Sequence, residues 1–317
     1  MRKILLLLLF LGMPIVCSSD SSFSCAVTVA NSLLQTALDR EPELLEIGPA
    51  PKQTRAQPLP ANLKVVSYNI RWRGGNDLRK LAALLKDDAE VGGATILGLQ
   101  EVDRKKKRSG NKNNASMLAE ELGMYYAWAA PPVVESEQEE ETGVQILSAY
   151  PLTDVRRLLL PHEGPGGRRR VALAATIRIG KTDVRVYSVH AETRLPVNCK
   201  LDQIKAVLVD LACYPNDMPA VVLGDLNTWE PATISKTFEL FATAKFHTPF
   251  DEQPTFLRRV LFVPIELKLD WIWLRNLSAT SYGIDRSITL SDHWPLWITL
   301  TSDKFQVPGL EVSTIAR

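Results

Sequence analysis

The sequence predicts an α/β domain because three of its features agree. Short apolar runs with strand character alternate with stretches of helical periodicity, as in residues 64–69, 78–85 and 95–99. Polar side chains recur where the apolar runs end, which is the edge at which open α/β sheets bind ligands. The chain has 317 residues, 45% of them hydrophobic and 23% charged, which is typical of a soluble globular protein with a sizeable core.

The individual elements follow from the same two periodicities. Strands are expected at residues 64–69, 95–99, 124–129, 144–149, 155–160, 168–179, 184–190, 220–224, 268–274 and 296–300. Helices are expected at residues 78–85, 115–122, 201–213 and 233–241. The apolar residues 257–267 are interpreted as a buried strand pair.

The two ends of the chain are expected to lie outside this domain. Residues 1–19 begin with basic residues, continue with a short Leu-rich apolar run and end in a Ser-rich segment. This pattern predicts a secretory signal peptide. We therefore expect a secreted or periplasmic protein with no transmembrane segment in the mature chain. A lipoprotein anchored through Cys17 is an alternative, which the bulky Val16 disfavours. Residues 20–61 read as an extension with a Pro-rich linker, 62–302 as the folded domain and 303–317 as a tail.

Charge and cysteine usage exclude some classes of function. The net charge is +1, so any attraction to a polyanion must be local. Basic residues cluster at 104–108 and 168–170, and the first cluster is interpreted as a solvated turn, with a phosphate contact as the alternative. The four Cys and four His show neither C-x-x-C nor H-x-x-x-H spacing, which disfavours a structural zinc site.

The stretch of residues 218–231 organises the candidate chemistry. An apolar strand at 220–224 runs directly into Asp225 and Asn227. Residues two apart in an extended segment point the same way, so both side chains can face one site. An ordinary turn would use the same residue types. The rest of the chain favours the functional interpretation.

Similar polar residues end other predicted strands. These residues are Asn69, Glu101 and His190. In addition, Asp270 and the pair Asp292–His293 lie in or just before predicted strands. The set suits phosphoester hydrolysis assisted by Mg²⁺, or alternatively Mn²⁺, because hard cations take oxygen ligands and few protein carboxylates.

In this hypothesis each residue has a role. Glu101 is the main metal ligand, supported by Asn69 and Asp270. Asp225 activates the attacking water and Asn227 fixes its position. His190 and His293 donate to phosphoryl oxygens, with Asp292 suited to orient the neighbouring His293. Taken singly, His190 could be structural, Asp270 the partner of an arginine and Asp292 a turn cap.

Seven short motifs resemble, in order and spacing, the endonuclease/exonuclease/phosphatase superfamily, which has the deoxyribonuclease-I-like fold. They are S-Y-N (67–69), L-Q-E-V-D (99–103), G-V-Q-I-L-S (143–148), Y-S-V-H (187–190), G-D-L-N (224–227), L-D-W-I (269–272) and S-D-H-W-P (291–295). The resemblance implies a four-layer sandwich of two packed mixed β-sheets flanked by helices. It also implies the roles given above, and it places Arg170 near the substrate phosphate.

The resemblance leaves the substrate open. An exported phosphodiesterase acting on DNA or RNA is the first expectation, with no stable protein partner implied. A sphingomyelinase-like phospholipid phosphodiesterase or a small-molecule phosphatase is the alternative, which an exposed apolar loop at 257–267 would favour. A non-catalytic binding protein on the same fold is a third, which the intact set of carboxylates and histidines disfavours.

Overall fold

Two large β-sheets pack face to face in a computed structural model that describes residues 44–51, 63–132 and 141–301. The strands in these ranges are β1 (Leu45–Ile47), β2 (Leu63–Asn69), β3 (Ile96–Arg104), β4 (Tyr125–Ala129), β5 (Glu141–Ser148), β6 (Leu152–Leu159), β7 (Val171–Ile179), β8 (Thr182–His190), β9 (Ala220–Asp225), β10 (Phe256–Val260), β11 (Val263–Leu267), β12 (Asp270–Arg275), β13 (Ser278–Ile284) and β14 (Leu296–Thr301). The α-helices are α1 (Gly75–Asp87), α2 (Asn114–Leu122), α3 (Val197–Leu211) and α4 (Pro231–Thr243).

Each large sheet contains one parallel pair among antiparallel neighbours. The seven-stranded sheet has the order β1-β4-β5-β3-β2-β14-β13, and β2 and β3 are its parallel pair. The five-stranded sheet has the order β12-β9-β8-β7-β6, and β8 and β9 are its parallel pair. Strands β10 and β11 form a two-stranded sheet of their own, and Phe256 of β10 makes a single bridge to His293. Both large sheets are therefore mixed, as predicted.

Alternation along the central strands supplies both faces of each sheet with apolar side chains. Val65 of β2 lies in the core between the sheets, whereas the next residue, Val66, lies in the core beneath α1 and α2. Val221 and Val222 of β9 divide in the same way between the central core and the core beneath α3 and α4. Burial on both faces explains why these strands read as continuous apolar runs.

The helices complete the four layers. Leu78, Leu81 and Leu85 of α1 recur at helical spacing and are buried against the seven-stranded sheet. On the other side, Phe241 of α4 stacks on Trp273 of β12 with ring centroids 4.3 Å apart. The predicted four-layer α/β sandwich is confirmed.

One strand lies ahead of the expected domain start at residue 62. Strand β1 belongs to the segment 20–61 that was interpreted as extension and linker, yet it pairs with β4 at the edge of the seven-stranded sheet. Main-chain hydrogen bonds make this pairing, so three residues without a long apolar pattern suffice. The predicted signal peptide, Cys17 and the tail 303–317 lie outside the described residues. Within them, no helix is long and apolar enough to cross a bilayer.

The segment 257–267 forms the expected strand pair, but the expectation that this pair is buried is wrong. Strands β10 and β11 form a separate hairpin whose turn residues Leu261 and Phe262 are 88% and 97% exposed. The apolar composition was the only sequence signal, and it does not distinguish a buried pair from one that projects into solvent.

Candidate active site

The predicted site residues gather where the parallel strands of the two sheets end. Strand β2 ends at Asn69, and β8 and β9 end at His190 and Asp225, which are direct partners in register. Glu101 lies in a bulge of β3, where the pairing with β5 skips a residue and the backbone φ is +58°. A bulge turns the side chain away from the regular alternation, and here it brings Glu101 to the other strand ends.

Asn69 joins the two sheets at this edge. Its side-chain Nδ2 donates to Oε1 of Glu101 at 3.2 Å and to Oδ2 of Asp225 at 3.0 Å. Asn69 and Asp225 are buried. The Asn69 amide therefore stabilises the close approach of the Glu101 and Asp225 carboxylates, which would otherwise repel each other.

Two histidines flank the same oxygen of Asp225. His190 Nε2 lies 3.6 Å from Asp225 Oδ2, and His293 Nε2 lies 3.8 Å from it. His190 Nε2 is also 3.9 Å from Oε1 of Glu101. The pocket thus combines two imidazoles, two carboxylates and an amide, all delivered by different strands or by the loop before β14.

Asp270, and not the adjacent Asp292, is the carboxylate that contacts His293. Asp270 Oδ2 lies 2.8 Å from His293 Nδ1 and accepts a hydrogen bond from the hydroxyl of Thr255 at 2.8 Å. The expectation that Asp292 orients His293 is corrected, because neighbouring residues in this segment point in different directions. Asp270 instead reaches His293 from the first position of β12.

Asp292 faces Arg71, whose Nη1 lies 3.1 Å away. The hydroxyl of Ser291 donates to the backbone oxygen of Asn69 at 2.8 Å and so fastens this loop to the end of β2. Asp292 is therefore placed at the rim of the pocket beside an arginine that the sequence interpretation did not include.

Asn227 is held by the turn after β9. Its backbone φ is +52°, its N–H donates to Oδ1 of Asp225 at 3.1 Å and its Nδ2 donates to the oxygen of Ala191 at 2.9 Å. Thr193 donates to Oδ1 of Asn227 at 3.2 Å. The turn interpretation and the functional interpretation of G-D-L-N are thus compatible, because the turn orients both side chains.

The ionisation of the pocket follows from burial and close charges. Burial raises the pKa of the Asp225 carboxyl to about 7, and the negative charge of Asp270 adds to this effect. Burial lowers the pKa of His293, but the charge and hydrogen bond of Asp270 outweigh burial and raise it to about 10. Burial and the charges of Arg170 and His293 hold the pKa of His190 well below its ordinary range. Near neutral pH the site therefore contains one charged and one neutral imidazole.

Two groups of residues can be tested against a divalent cation. Asp225, Asp270 and His293 each offer an atom within 4.8 Å of the others. In this group the charged imidazole of His293 lies between the two carboxylates, and a protonated His cannot ligate a metal.

Glu101 and Asp270 each keep one buried carboxylate oxygen, Oε2 and Oδ1, that has no hydrogen-bond partner among the described residues, so either carboxylate can meet a cation. The Glu101 carboxylate is a suitable donor for Mg²⁺ or Mn²⁺. Asn69 positions this carboxylate through Nδ2, while its amide oxygen accepts a hydrogen bond from the N–H of Arg71 at 3.1 Å.

Arg170 lies beside the pocket, held by a residue that the sequence interpretation missed. Its Nη1 is 3.4 Å from Nδ1 of His190, and its Nε donates to Oε2 of Glu192 at 2.9 Å. Arg168 pairs with the same buried carboxylate at 3.1 Å. Glu192 lies two residues after His190, so the i, i+2 rule could have found it. Thr255 gave no comparable signal, because it follows no predicted strand.

The basic cluster 104–108 makes internal ion pairs. Arg104 contacts Glu46 at 2.8 Å and Glu141 at 2.6 Å, and Arg108 contacts the buried Asp103 at 2.8 Å. Arg108 also lies over the ring of Trp72 at 4.2 Å. These arginines therefore stabilise the fold around the rim, and a solvated turn describes the cluster only in part.

Comparison with known proteins agrees with this fold. The endonuclease/exonuclease/phosphatase family profile matches residues 66–293. No curated protein is significantly similar in sequence. A solved endonuclease/exonuclease/phosphatase from Beutenbergia cavernae is 19% identical over 75% of this chain and 71% of its own, with a TM-score of 0.61.

Two further solved structures share the fold with this chain. D. rerio TDP2, complexed with a single-strand DNA product, is 14% identical over 77% of this chain and 100% of its own, with a TM-score of 0.59. ANGEL2, described as a 2′,3′-cyclic phosphatase, is 13% identical over 75% of this chain and 95% of its own, with a TM-score of 0.56. The profile match spans most of the chain, and the chain therefore belongs to the endonuclease/exonuclease/phosphatase family of phosphoester hydrolases.

Proposed function

We propose that the chain is an exported, divalent-metal-dependent phosphodiesterase that hydrolyses nucleic acid by in-line attack of water. The observation that carries this proposal is the Asn69 bridge between Glu101 and Asp225, with His190 and His293 beside the same carboxylate. A metal ligand, a base and two phosphate-binding imidazoles then surround one small space. Export is supported by the signal peptide predicted at residues 1–19.

Glu101 would hold the cation and Asn69 would position its carboxylate through Nδ2, with Mg²⁺ as the first candidate cation and Mn²⁺ as the second. When bound, the cation neutralises a phosphate oxygen and the leaving oxygen. The unpartnered Glu101 Oε2 supports this assignment, since a buried carboxylate oxygen without a hydrogen bond is costly unless a ligand meets it.

Asp225 would take the proton of the attacking water. A carboxylate with a pKa of about 7 is an effective general base near neutral pH. Asn227 is bonded to Asp225 through its backbone N–H at 3.1 Å and fixes the orientation of the carboxylate.

His293 would donate from Nε2 to a phosphoryl oxygen as negative charge develops there. Asp270 holds the other nitrogen through Oδ2 and keeps the imidazole charged, which makes Asp270 a positioning residue, while its Oδ1 stays available to a cation. His190 and Arg170 would bind the phosphate from the opposite side, and Asp292 would orient Arg71 at the rim.

Two partly exposed tryptophans favour nucleic acid as the substrate class. Trp72 is 38% exposed and donates its backbone N–H to the oxygen of Glu101, and Trp229 is 46% exposed two residues after Asn227. Aromatic rings beside a phosphate site provide surfaces on which bases of a single strand stack. The DNA product in the TDP2 complex supports the same class.

A phospholipid is the second candidate substrate, and the exposed hairpin of β10 and β11 favours it. The test is hydrolysis of single-stranded DNA, RNA, plasmid DNA, sphingomyelin and a phosphomonoester, each with Mg²⁺ or with chelator. We expect chelator-sensitive cleavage of the nucleic acids. Cleavage of sphingomyelin alone would establish the second candidate. Chelator-resistant cleavage, or binding of DNA without cleavage in Mg²⁺ or Mn²⁺, would contradict the metal-dependent mechanism.

A further inference from the structure

The hairpin of β10 and β11 projects an apolar tip into solvent. Val260 and Val263 are paired in register, so Leu261 and Phe262 form a two-residue turn. The exposed fractions are 88% for Leu261, 97% for Phe262 and 61% for Val263. Large apolar side chains that are this exposed and adjacent are typical of a surface that contacts another apolar phase.

The backbone of the turn is strained for the residues it carries. The φ angles of Leu261 and Phe262 are +47° and +72°, so both residues occupy the left-handed region. Tight hairpin turns of this kind favour Asn-Gly, because bulky side chains are disfavoured there. The chain therefore presents Leu and Phe at the tip in spite of the turn geometry, which indicates a function for these side chains.

Charge complements the apolar tip. Arg258 and Arg259 are exposed on β10, and Glu266 is the one acidic residue of the two strands. Two guanidinium groups and one carboxylate leave a net positive charge on the strands directly behind Leu261 and Phe262. Basic residues next to an inserted apolar group are attracted to the anionic headgroups of a lipid surface.

The base of the hairpin is part of the candidate active site. The ring of Phe256 contacts the imidazole of His293 with centroids 4.9 Å apart, and the N–H of Leu257 donates to the oxygen of Asp292 at 2.8 Å. Thr255, directly before β10, bonds to Asp270. Whatever surface receives the tip therefore lies at a constant distance from the catalytic pocket.

We propose that this hairpin docks the protein on an anionic lipid surface. Leu261 and Phe262 insert among the acyl chains, Arg258 and Arg259 contact headgroup phosphates, and the pocket is held near the headgroup layer. A protein partner fits less well, because a stable interface buries roughly 800 Å² on each side. A convex tip of three side chains, of which a Phe provides roughly 150–250 Å², supplies much less, whereas an acyl layer deforms around it.

Vesicle sedimentation tests the docking in the presence of chelator, so that binding is read without turnover. We expect the full chain to sediment with phosphatidylcholine vesicles that contain phosphatidylglycerol, and more weakly with phosphatidylcholine alone. The double variant Leu261→Asn/Phe262→Gly installs the residue pair that the turn favours, so the hairpin is retained. Its affinity for the mixed vesicles should fall at least tenfold, while Val209→Asn, which removes an exposed apolar side chain from α3, should leave binding unchanged.

A depth measurement separates the tip from any other lipid contact of the chain. Phe262→Trp should gain fluorescence that brominated acyl chains quench, beyond the quenching of the parent protein. Equal sedimentation of the parent and the double variant, or no added quenching, would overturn the proposal. So would loss of duplex DNA binding in the double variant with vesicle binding intact, which would make the tip a wedge for bases. Vesicle binding without any phosphoester hydrolysis would contradict the proposed function alone.

Discussion

Asp270 and His293 form a buried pair in which the carboxylate Oδ2 lies 2.8 Å from the imidazole Nδ1. The two residues are 23 positions apart and belong to β12 and the loop before β14. This contact keeps His293 charged and directs its Nε2 toward Asp225. It also explains why Asp292, although adjacent to His293 in sequence, is free to pair with Arg71.

Asp270→Asn should lower kcat/KM for the cleaved phosphodiester by about 10²–10⁴-fold, the usual contribution of a positioned acid or base. The amide keeps the size of the side chain but removes the charge that sustains the imidazolium. Steady-state kinetics on protein verified as folded by circular dichroism provides the measurement. Asp251→Asn, on an exposed loop nearby, is the matched control. Wild-type kinetics in Asp270→Asn would exclude the positioning role.

Glu101→Gln should weaken binding of Mn²⁺ or Mg²⁺ by at least 10–100-fold, since the amide retains the shape of the ligand and loses its charge. Isothermal titration of the free protein reads the affinity directly, and activity should fall in parallel. Glu239→Gln, exposed on α4, should bind the cation like the parent. Unchanged cation affinity in Glu101→Gln would show that Glu101 is not a ligand and that the cation binds elsewhere.

The pH dependence of kcat/KM should be bell-shaped. Asp225 must be ionised to accept a proton, so activity should rise as pH increases through about 7. His293 must be protonated to donate, so activity should fall as pH increases through about 10. His293→Gln should remove the alkaline limb and keep the acidic one. An acidic limb that stays in place in Asp225→Asn, measured on its residual activity, would refute Asp225 as the base.

Trp229→Ala should raise KM for a single-stranded oligonucleotide about 5–150-fold with little change in kcat, because stacking contributes roughly 1–3 kcal/mol per base. Trp72→Ala should act in the same direction, and both variants should leave KM for a small phosphodiester without a base unchanged. Val209→Ala controls for the loss of an exposed apolar group. A fall in kcat without a change in KM would argue against base stacking.

The ion pairs of Glu192 should make the free energy of unfolding depend on pH in the acidic range. Burial opposes ionisation of Glu192, but the charges and hydrogen bonds of Arg170 and Arg168 outweigh it and lower the pKa of the carboxyl below its usual 4.5. Its contribution is therefore complete above the unfolded-state pKa and is lost as pH falls through the folded-state pKa. The Tm difference between the parent and Glu192→Gln should be large near pH 7 and shrink as the pH is lowered toward 3. A constant difference would show that the charge of Glu192 is not responsible.

The predicted strands and helices agree with the structure in type, because both faces of each sheet are covered and the central strands therefore read as clear apolar runs. Their bounds differ by a few residues, as for α3, expected at 201–213 and found at Val197–Leu211. Strands β1 and β13 escaped prediction because both lie at edges of the seven-stranded sheet and carry no continuous apolar run. The exposure of the β10–β11 hairpin was not predicted, because the composition of a strand does not show whether another element packs against it.

The sequence by itself determined the fold family, the polar residues at the strand ends and the chemistry those residue types suit, since local periodicity and side-chain chemistry are written in the order of residues. Only the tertiary structure decided the partners: Asp270 with His293, Asn69 with both Glu101 and Asp225, and Arg170 with Glu192. These contacts join residues from separate strands and loops, so they depend on how the two sheets are stacked and registered. No local pattern encodes that relation.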